Sequence, residues 1–360
     1  MINQKFKKII TSKWILISTI FIIVLGIYAN VKLTFKGKTQ YITFRSDIDI
    51  EGVLIRPNTP GPYPAILLLH GAGGSHQEYN KLTFKMHANA FLKKGFAVMV
   101  YTKRGSGKNN VDYKYFTYED LKNDAKAALS FLRNKDDIDG SKIGLMGVSE
   151  SGWFTPEIAL EDSNIKFIVN KVSSPLNVRE TVIHERKQDA LAEGFTKQEV
   201  ENEILPLTKR IWQFYIDVAN NPSLANGNDR DKINQELSKM NKHDRLGKWF
   251  TYDKLNDYDA RLYASRGQNY LYDPMPFIEK IEVPMLYVMG GKDKNMPTNQ
   301  IVEILERLRN DNQKDISVKV YPNASHYLNK WGLEDGPHTG WLYVEGYLDL
   351  ISNWAAEQVE

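Results

Sequence analysis

Lys142 to Gly152 reads KIGLMGVSESG. An apolar run of strand length ends at Gly147, Ser149 follows after one residue, Ser151 and Gly152 follow after one more, and a helix-compatible run comes next. A serine can be thrown out on a sharp strand-to-helix turn only if the residues two before and two after it are small enough to avoid clashes. Ser149 is then a candidate nucleophile. The plain alternative is an ordinary strand-to-helix turn with Ser149 as N-cap, so the pattern has to be weighed with its possible partners.

A hydroxyl is a poor nucleophile until a base takes its proton, so a histidine oriented by a carboxylate is expected downstream, each on a loop after a late strand. Asp293 follows the apolar run Met285 to Met289 through Gly290-Gly291-Lys292. His326 follows Ile316 to Tyr321 through Pro322-Asn323-Ala324-Ser325. Serine, aspartate and histidine thus occur in the chain order expected of this sheet type. Read singly, Asp293 is also a plain turn residue and His326 a surface histidine. A developing oxyanion needs backbone N–H donors, which glycine-rich turns supply. LLLHGAGGS, Leu67 to Ser75, lies directly after the first core strand, and the amides of Ala72 and Glu150 are the expected donors. His70 reads as structural. No Lys-Ser/Thr follows these glycines, so the turn is no phosphate cradle.

Apolar runs at Ala65 to Leu69, Phe96 to Tyr101, Lys142 to Val148, Lys166 to Lys171, Met285 to Met289 and Ile316 to Val320 alternate with helical patterns, which predicts a largely parallel sheet. Tyr41 to Arg45 and Ile50 to Arg56 add two earlier strands. Tyr118, Leu121, Ala125, Leu129 and Leu132 mark the buried face of a helix over Phe116 to Arg133, and a last helix is expected from about Gly340 to Ala356. Between Asn177 and Tyr272 no strand fits, and the polar stretch has helical spacing at Ile204, Leu207, Ile211, Trp212 and Tyr215.

LLLHGAGG, YTKRGSGKN (Tyr101 to Asn109), GVSESG, GGKD (Gly290 to Asp293) and NASH (Asn323 to His326), in that order, together resemble the α/β-hydrolase superfamily. More narrowly the chain is similar to bacterial serine esterases and to dienelactone-hydrolase-like or serine-aminopeptidase-like members. The resemblance covers about residues 41–356. It implies an α/β fold with a mostly parallel eight-stranded sheet flanked by helices, residues 39–176 and 273–360 forming the core and 177–272 a helical cap. One departure is Ser151, where the superfamily usually has glycine; serine is small enough to keep the turn. The implied chemistry is acyl transfer to water by Ser149, His326 and Asp293 through an acyl-enzyme, with no cofactor and no metal.

Composition bounds the rest. The 360 residues are 42% hydrophobic and 25% charged, the profile of a packed globular chain. The absence of cysteine removes disulfides, thiolate metal sites and any thiol nucleophile. Seven lysines and no acid fall in residues 1–38, so the net charge of +3 hides a mildly acidic remainder, and no nucleic-acid partner is expected. Trp14 to Ala29 is an uncharged run flanked by lysines on both sides. It reads as a signal or membrane-anchor segment, retained or cleaved, with the large domain outside the cytoplasm. The expected substrate is a small-molecule ester or short peptide. Ester hydrolysis leads, and a peptidase and a catalytically inactive binding protein are the alternatives. A coenzyme A thioesterase is disfavoured because that substrate stays in the cytoplasm. The Glu150 side chain is either a solvated helix acid or a ligand for a cationic group.

Overall fold

The structure is a computed structural model that describes residues 18–21, 24, 34–73, 82–106, 112, 115–251, 253, 255, 259–329 and 343–360. The N-terminal segment lies largely outside these residues. Among them no helix is long and apolar enough to cross a membrane.

Eight strands form one sheet: β1 Lys38–Arg45, β2 Asp49–Arg56, β3 Tyr63–Leu68, β4 Ala97–Tyr101, β5 Ile138–Val148, β6 Ile165–Lys171, β7 Met285–Gly290 and β8 Ile316–Tyr321. Their spatial order is β1-β2-β4-β3-β5-β6-β7-β8. β2 runs antiparallel to both its neighbours, β1 and β4; every pair from β4 to β8 is parallel. The mostly parallel eight-stranded sheet expected from the sequence is present. Parallel strands covered on both faces read as unbroken apolar runs, and β7 (MLYVMG) is buried at every position.

Among the described residues, the helices of eight residues or more are α1 Leu82–Leu92, α2 Tyr118–Arg133, α3 Ser151–Glu161, α4 Val178–Ala192, α5 Leu205–Asn220, α6 Asn228–Lys239, α7 Ala260–Leu271, α8 Thr298–Asp311 and α9 Tyr347–Glu357. Successive strand side chains point to opposite faces, so the sheet carries two cores. On one face Leu67, Met99, Leu145 and Tyr287 pack with α2, α3 and α8 through Leu129, Phe154 and Ile301. On the other, Leu68, Val100, Met146 and Val288 pack with α1 and α9 through Phe91 and Ile351. An edge-to-face series, Phe91–Phe96–Phe167–Trp354, crosses the second core with ring centroids 6.0, 5.9 and 5.9 Å apart, a geometry that adds to area burial.

α2 starts where its capping box dictates, with Thr117 and Asp120 bonding each other's backbone N–H. The last helix begins at Tyr347, later than the spacing predicts. Gly346 has φ 78, a left-handed conformation that no right-handed helix can run through, and Tyr343 pairs with Asn329 in an isolated β-bridge. The part of that expected helix before Tyr343 lies outside the described residues.

Between β6 and β7 every described element is helical. This segment holds an apolar cluster of its own, including Ile204, Ile211, Phe214, Tyr215 and Tyr263. Val182 and Tyr270 touch both that cluster and the sheet core. Its two ends meet, Val178 N–H donating to the Tyr272 carbonyl at 3.0 Å.

Candidate active site

The C-terminal ends of the parallel strands gather the residues singled out in the sequence. β5 ends at Val148, and the next residue, Ser149, has φ 52, left-handed backbone that a non-glycine residue adopts at a cost of about 1–3 kcal/mol. Its amide donates to the Lys171 carbonyl of β6 at 2.9 Å, and Gly152 N–H donates back to the Ser149 carbonyl at 3.0 Å. The hydroxyl is thereby turned out between a strand end and a helix start. Small residues make the turn possible. A Cβ on Gly147 would stand 2.9 Å from the Gly152 Cα, and one on Gly152 would stand 2.1 Å from the Ser173 Oγ. Ser151, the departure from glycine, is fully buried, and its hydroxyl accepts from Val148 N–H at 2.7 Å, fastening the strand end to the first helical turn.

Asp293, His326 and Ser149 form one hydrogen-bonded chain. His326 Nε2 lies 3.0 Å from Ser149 Oγ, and Nδ1 lies 2.9 and 3.1 Å from the two carboxylate oxygens of Asp293. A carboxylate only accepts, so Nδ1 carries the proton and Nε2 presents a lone pair to the hydroxyl. Asp293 Oδ1 also accepts from the amides of Asn295 and Met296 at 2.9 and 3.0 Å. The loops bearing Asp293 and His326 are fastened to each other: Gly291 N–H donates to the Tyr321 carbonyl at 2.9 Å and Lys292 N–H to the Ala324 carbonyl at 2.8 Å. They lie so close that a Cβ on Gly290 would stand 2.4 Å from the Ser325 carbonyl.

The glycine turn after β3 reaches the same place. A Cβ on Gly71 would stand 3.5 Å from the Ser149 Cβ, and Ala72 is the next residue along the turn. Among the described residues neither the Ala72 nor the Glu150 amide makes a backbone–backbone hydrogen bond. His70 is buried with its ring edge-on to Tyr101, centroids 5.3 Å apart.

Three residues around this chain were not singled out from sequence. Lys103, 1% exposed at its side chain, donates to the Gly71 carbonyl at 3.0 Å and to the Glu150 carboxylate. Glu150 is therefore neither a solvated acid nor free for a cationic ligand. The only sequence signal for Lys103 is its place two residues beyond the end of β4, next to Arg104, which clamps the buried Asp124 of α2 at 2.7 and 3.0 Å. Glu185 and Asn295 are the other two. Glu185, on α4, accepts from the Asn295 side chain at 2.7 Å. Burial pushes the Glu185 carboxyl above the usual carboxylate range, and the charges of Asp189 and Asp293 add to the shift while His326 opposes it. Nothing in a polar helical stretch distinguishes such a residue before its neighbours are known.

Acyl-coenzyme A thioesterase 2, mitochondrial, of Homo sapiens is 26% identical over 181 residues, 48% of this chain and 32% of that protein. Esterase EstD of Thermotoga maritima is 33% identical over 121 residues, 31% of this chain and 28% of that protein. The chain thus spans about a third of the length of these curated relatives. An acylaminoacyl peptidase from Pyrococcus horikoshii superposes with a TM-score of 0.55 at 15% identity, over 93% of this chain and 43% of that one, a likeness of α/β-hydrolase fold alone. Residues 47–331 match the family described as X-Pro dipeptidyl-peptidase (S15 family); the chain belongs to that family and has the α/β-hydrolase fold.

Proposed function

We propose that this hydrolase cleaves carboxylic esters through an acyl-enzyme, with Ser149 as nucleophile, His326 as general base and acid, and Asp293 as the group that holds the imidazole. The observation that carries the reading is the hydrogen-bonded chain from Asp293 through His326 to a serine in left-handed backbone. In the forward step Ser149 Oγ bonds to the carbonyl carbon while its proton passes to His326 Nε2, and the carbonyl π pair moves onto oxygen. The amides of Ala72 and Glu150 receive that oxygen. Collapse expels the alcohol, which leaves with the proton from His326. Water then repeats the sequence on the acyl-enzyme and releases the acid and free Ser149.

The test is labelling of the purified protein with a fluorophosphonate, followed by mapping of the adduct by mass spectrometry and turnover of p-nitrophenyl esters. Modification of Ser149, and its loss in Ser149→Ala, is the expected result. Folded protein that neither labels nor turns over any ester or peptide would overturn the hydrolytic mechanism and favour a binding role. Thioester cleavage uses the same acyl transfer, and whether the domain ever meets coenzyme A esters depends on the N-terminal segment. That segment serves as the export or membrane anchor in this reading, which protease accessibility of the domain on intact cells checks.

A peptidase reading has one observation of its own. Glu185, on the helical segment, accepts from the side chain of Asn295 at 2.7 Å, two residues beyond Asp293, which sets a carboxyl beside the proposed triad where a substrate's free amino group would pair with it. Cleavage of a dipeptidyl amide that fails when its amino terminus is acetylated, and in Glu185→Gln, would favour this reading over simple ester hydrolysis.

A further inference from the structure

We infer that Lys103 is a positioning residue for the anion-receiving amides: a single buried ammonium ties together the two segments that carry them and polarises the Gly71–Ala72 peptide. The inference rests on the hydrolase reading above and adds a residue to its machinery.

Lys103 Nζ donates to the Gly71 carbonyl oxygen at 3.0 Å. That oxygen belongs to the same peptide unit as the Ala72 N–H. A cation at the oxygen end of an amide draws electron density away from its nitrogen, so the N–H becomes a stronger donor. The same Nζ donates to the Glu150 carboxylate, and the Glu150 amide is the other proposed donor. The lysine thereby links the glycine turn after β3 to the serine turn after β5 and fixes the separation of the two N–H groups. Fixed donors lower the reorganisation required when charge develops on the substrate oxygen.

Charge supplies a second effect. The Glu150 side chain is only 13% exposed and lies one residue from the nucleophile. Alone it would repel negative charge building at the neighbouring oxygen, and the ammonium offsets that repulsion at close range. Lys103 is itself held in place. Its Nζ stands 5.4 Å from the centre of the Phe116 ring, and the adjacent Arg104 is locked by Asp124 on α2 and by Asp47 between β1 and β2. A salt bridge serving only to hold Glu150 would not require the bond to Gly71.

The experiment compares the full chain with Lys103→Met and with the double variant Lys103→Met/Glu150→Gln, using a p-nitrophenyl ester and a boronic acid as transition-state analogue. In Lys103→Met, kcat is expected to fall about 10- to 100-fold with KM changed little, and boronate affinity and the rate of fluorophosphonate labelling at Ser149 to fall in parallel. The double variant recovers part of the loss by removing the uncompensated carboxylate, and stays below the wild type because the Gly71 contact is still missing. If Lys103→Met does not fold, Lys103→Gln carries the test; it keeps a neutral donor of similar reach and should show a smaller loss in kcat and boronate affinity together. A folded variant with wild-type kcat and boronate affinity would overturn the role of Lys103 while wild-type labelling at Ser149 leaves the hydrolase reading standing. Absence of labelling in the wild type would remove both.

Discussion

At the scale of single residues, the site depends on two kinds of position: side chains that could do chemistry and small residues that let them approach. Asp293→Asn tests the first kind. Asparagine keeps an oxygen to accept from the amides of Asn295 and Met296, so the loop should stay folded, but it no longer dictates the tautomer of His326. Ester turnover is expected to fall about 10³- to 10⁴-fold with an unchanged circular dichroism spectrum. Near-normal turnover would place the orienting acid elsewhere. Gly152→Ala tests the second kind, since the added methyl would sit 2.1 Å from Ser173 Oγ. Overpacking of this sort costs about 1–3 kcal/mol, seen as a lowered thermal midpoint, and Ser173→Gly in the same chain should restore part of it. The motif made Gly147, Ser149 and Ser151 legible in the sequence. Gly152 as the point of contact with Ser173 was not, because that contact depends on how closely α3 settles over the end of β6. Lys103 was hidden for a related reason: a lysine in a turn reads as solvated until the structure shows it enclosed.

At the scale of elements, the strands and their order were legible because parallel strands announce themselves as short apolar runs, and every predicted run overlaps an observed strand. The start of α9 was not, since the apolar spacing continues through a glycine whose backbone turns the other way. α9 is joined to α1 by a bond between His87 Nε2 and the Tyr347 hydroxyl at 2.7 Å. Burial lowers the His87 pKa to about 3, the charge of Lys171 adds to the effect, and the Thr83 carbonyl opposes it. Unfolding returns the imidazole to its ordinary value of 6.5. Between these values the unfolded chain binds the extra proton, so stability is full above pH 6.5 and declines as the pH falls towards 3. The loss from this one group between pH 6.5 and 4.5 is about 2 kcal/mol. Urea midpoints measured across that range should fall less steeply in His87→Gln; equal slopes in the two proteins would remove His87 as the cause.

At the scale of the whole molecule, the helical segment between β6 and β7 has its own apolar cluster and joins the sheet domain through Val182 and Tyr270 and through polar contacts. Asn269 is central among them, accepting from Tyr118 N–H at 2.9 Å and donating to the Phe116 carbonyl at 3.3 Å. Asn269→Ala strands both backbone groups at a cost of about 1–3 kcal/mol. The expected outcome is faster proteolysis within the helical segment and a raised KM with kcat less affected, and unaltered proteolysis would show that the contact carries no weight. The helical character of this segment was legible from its spacing. Which of its residues face the sheet domain was not, because polar contacts such as Tyr115 with Asp259, 2.6 Å apart, leave no periodic trace.

The bond between Val178 and Tyr272 has a further consequence. Two parallel strands always need a crossover between them, and here the crossover is pinched shut at its base, so the sheet is indifferent to how many residues lie beyond the pinch. Ser149 stands on one side of β6, and Asp293 with His326 on the other side, bound to each other. None of the three depends on the length of the excursion. A chimaera exchanging residues 179–271 for the corresponding excursion of another hydrolase should therefore change which molecules are accepted while the bond-breaking steps run as before, making selectivity a property that can be replaced without rebuilding the catalyst.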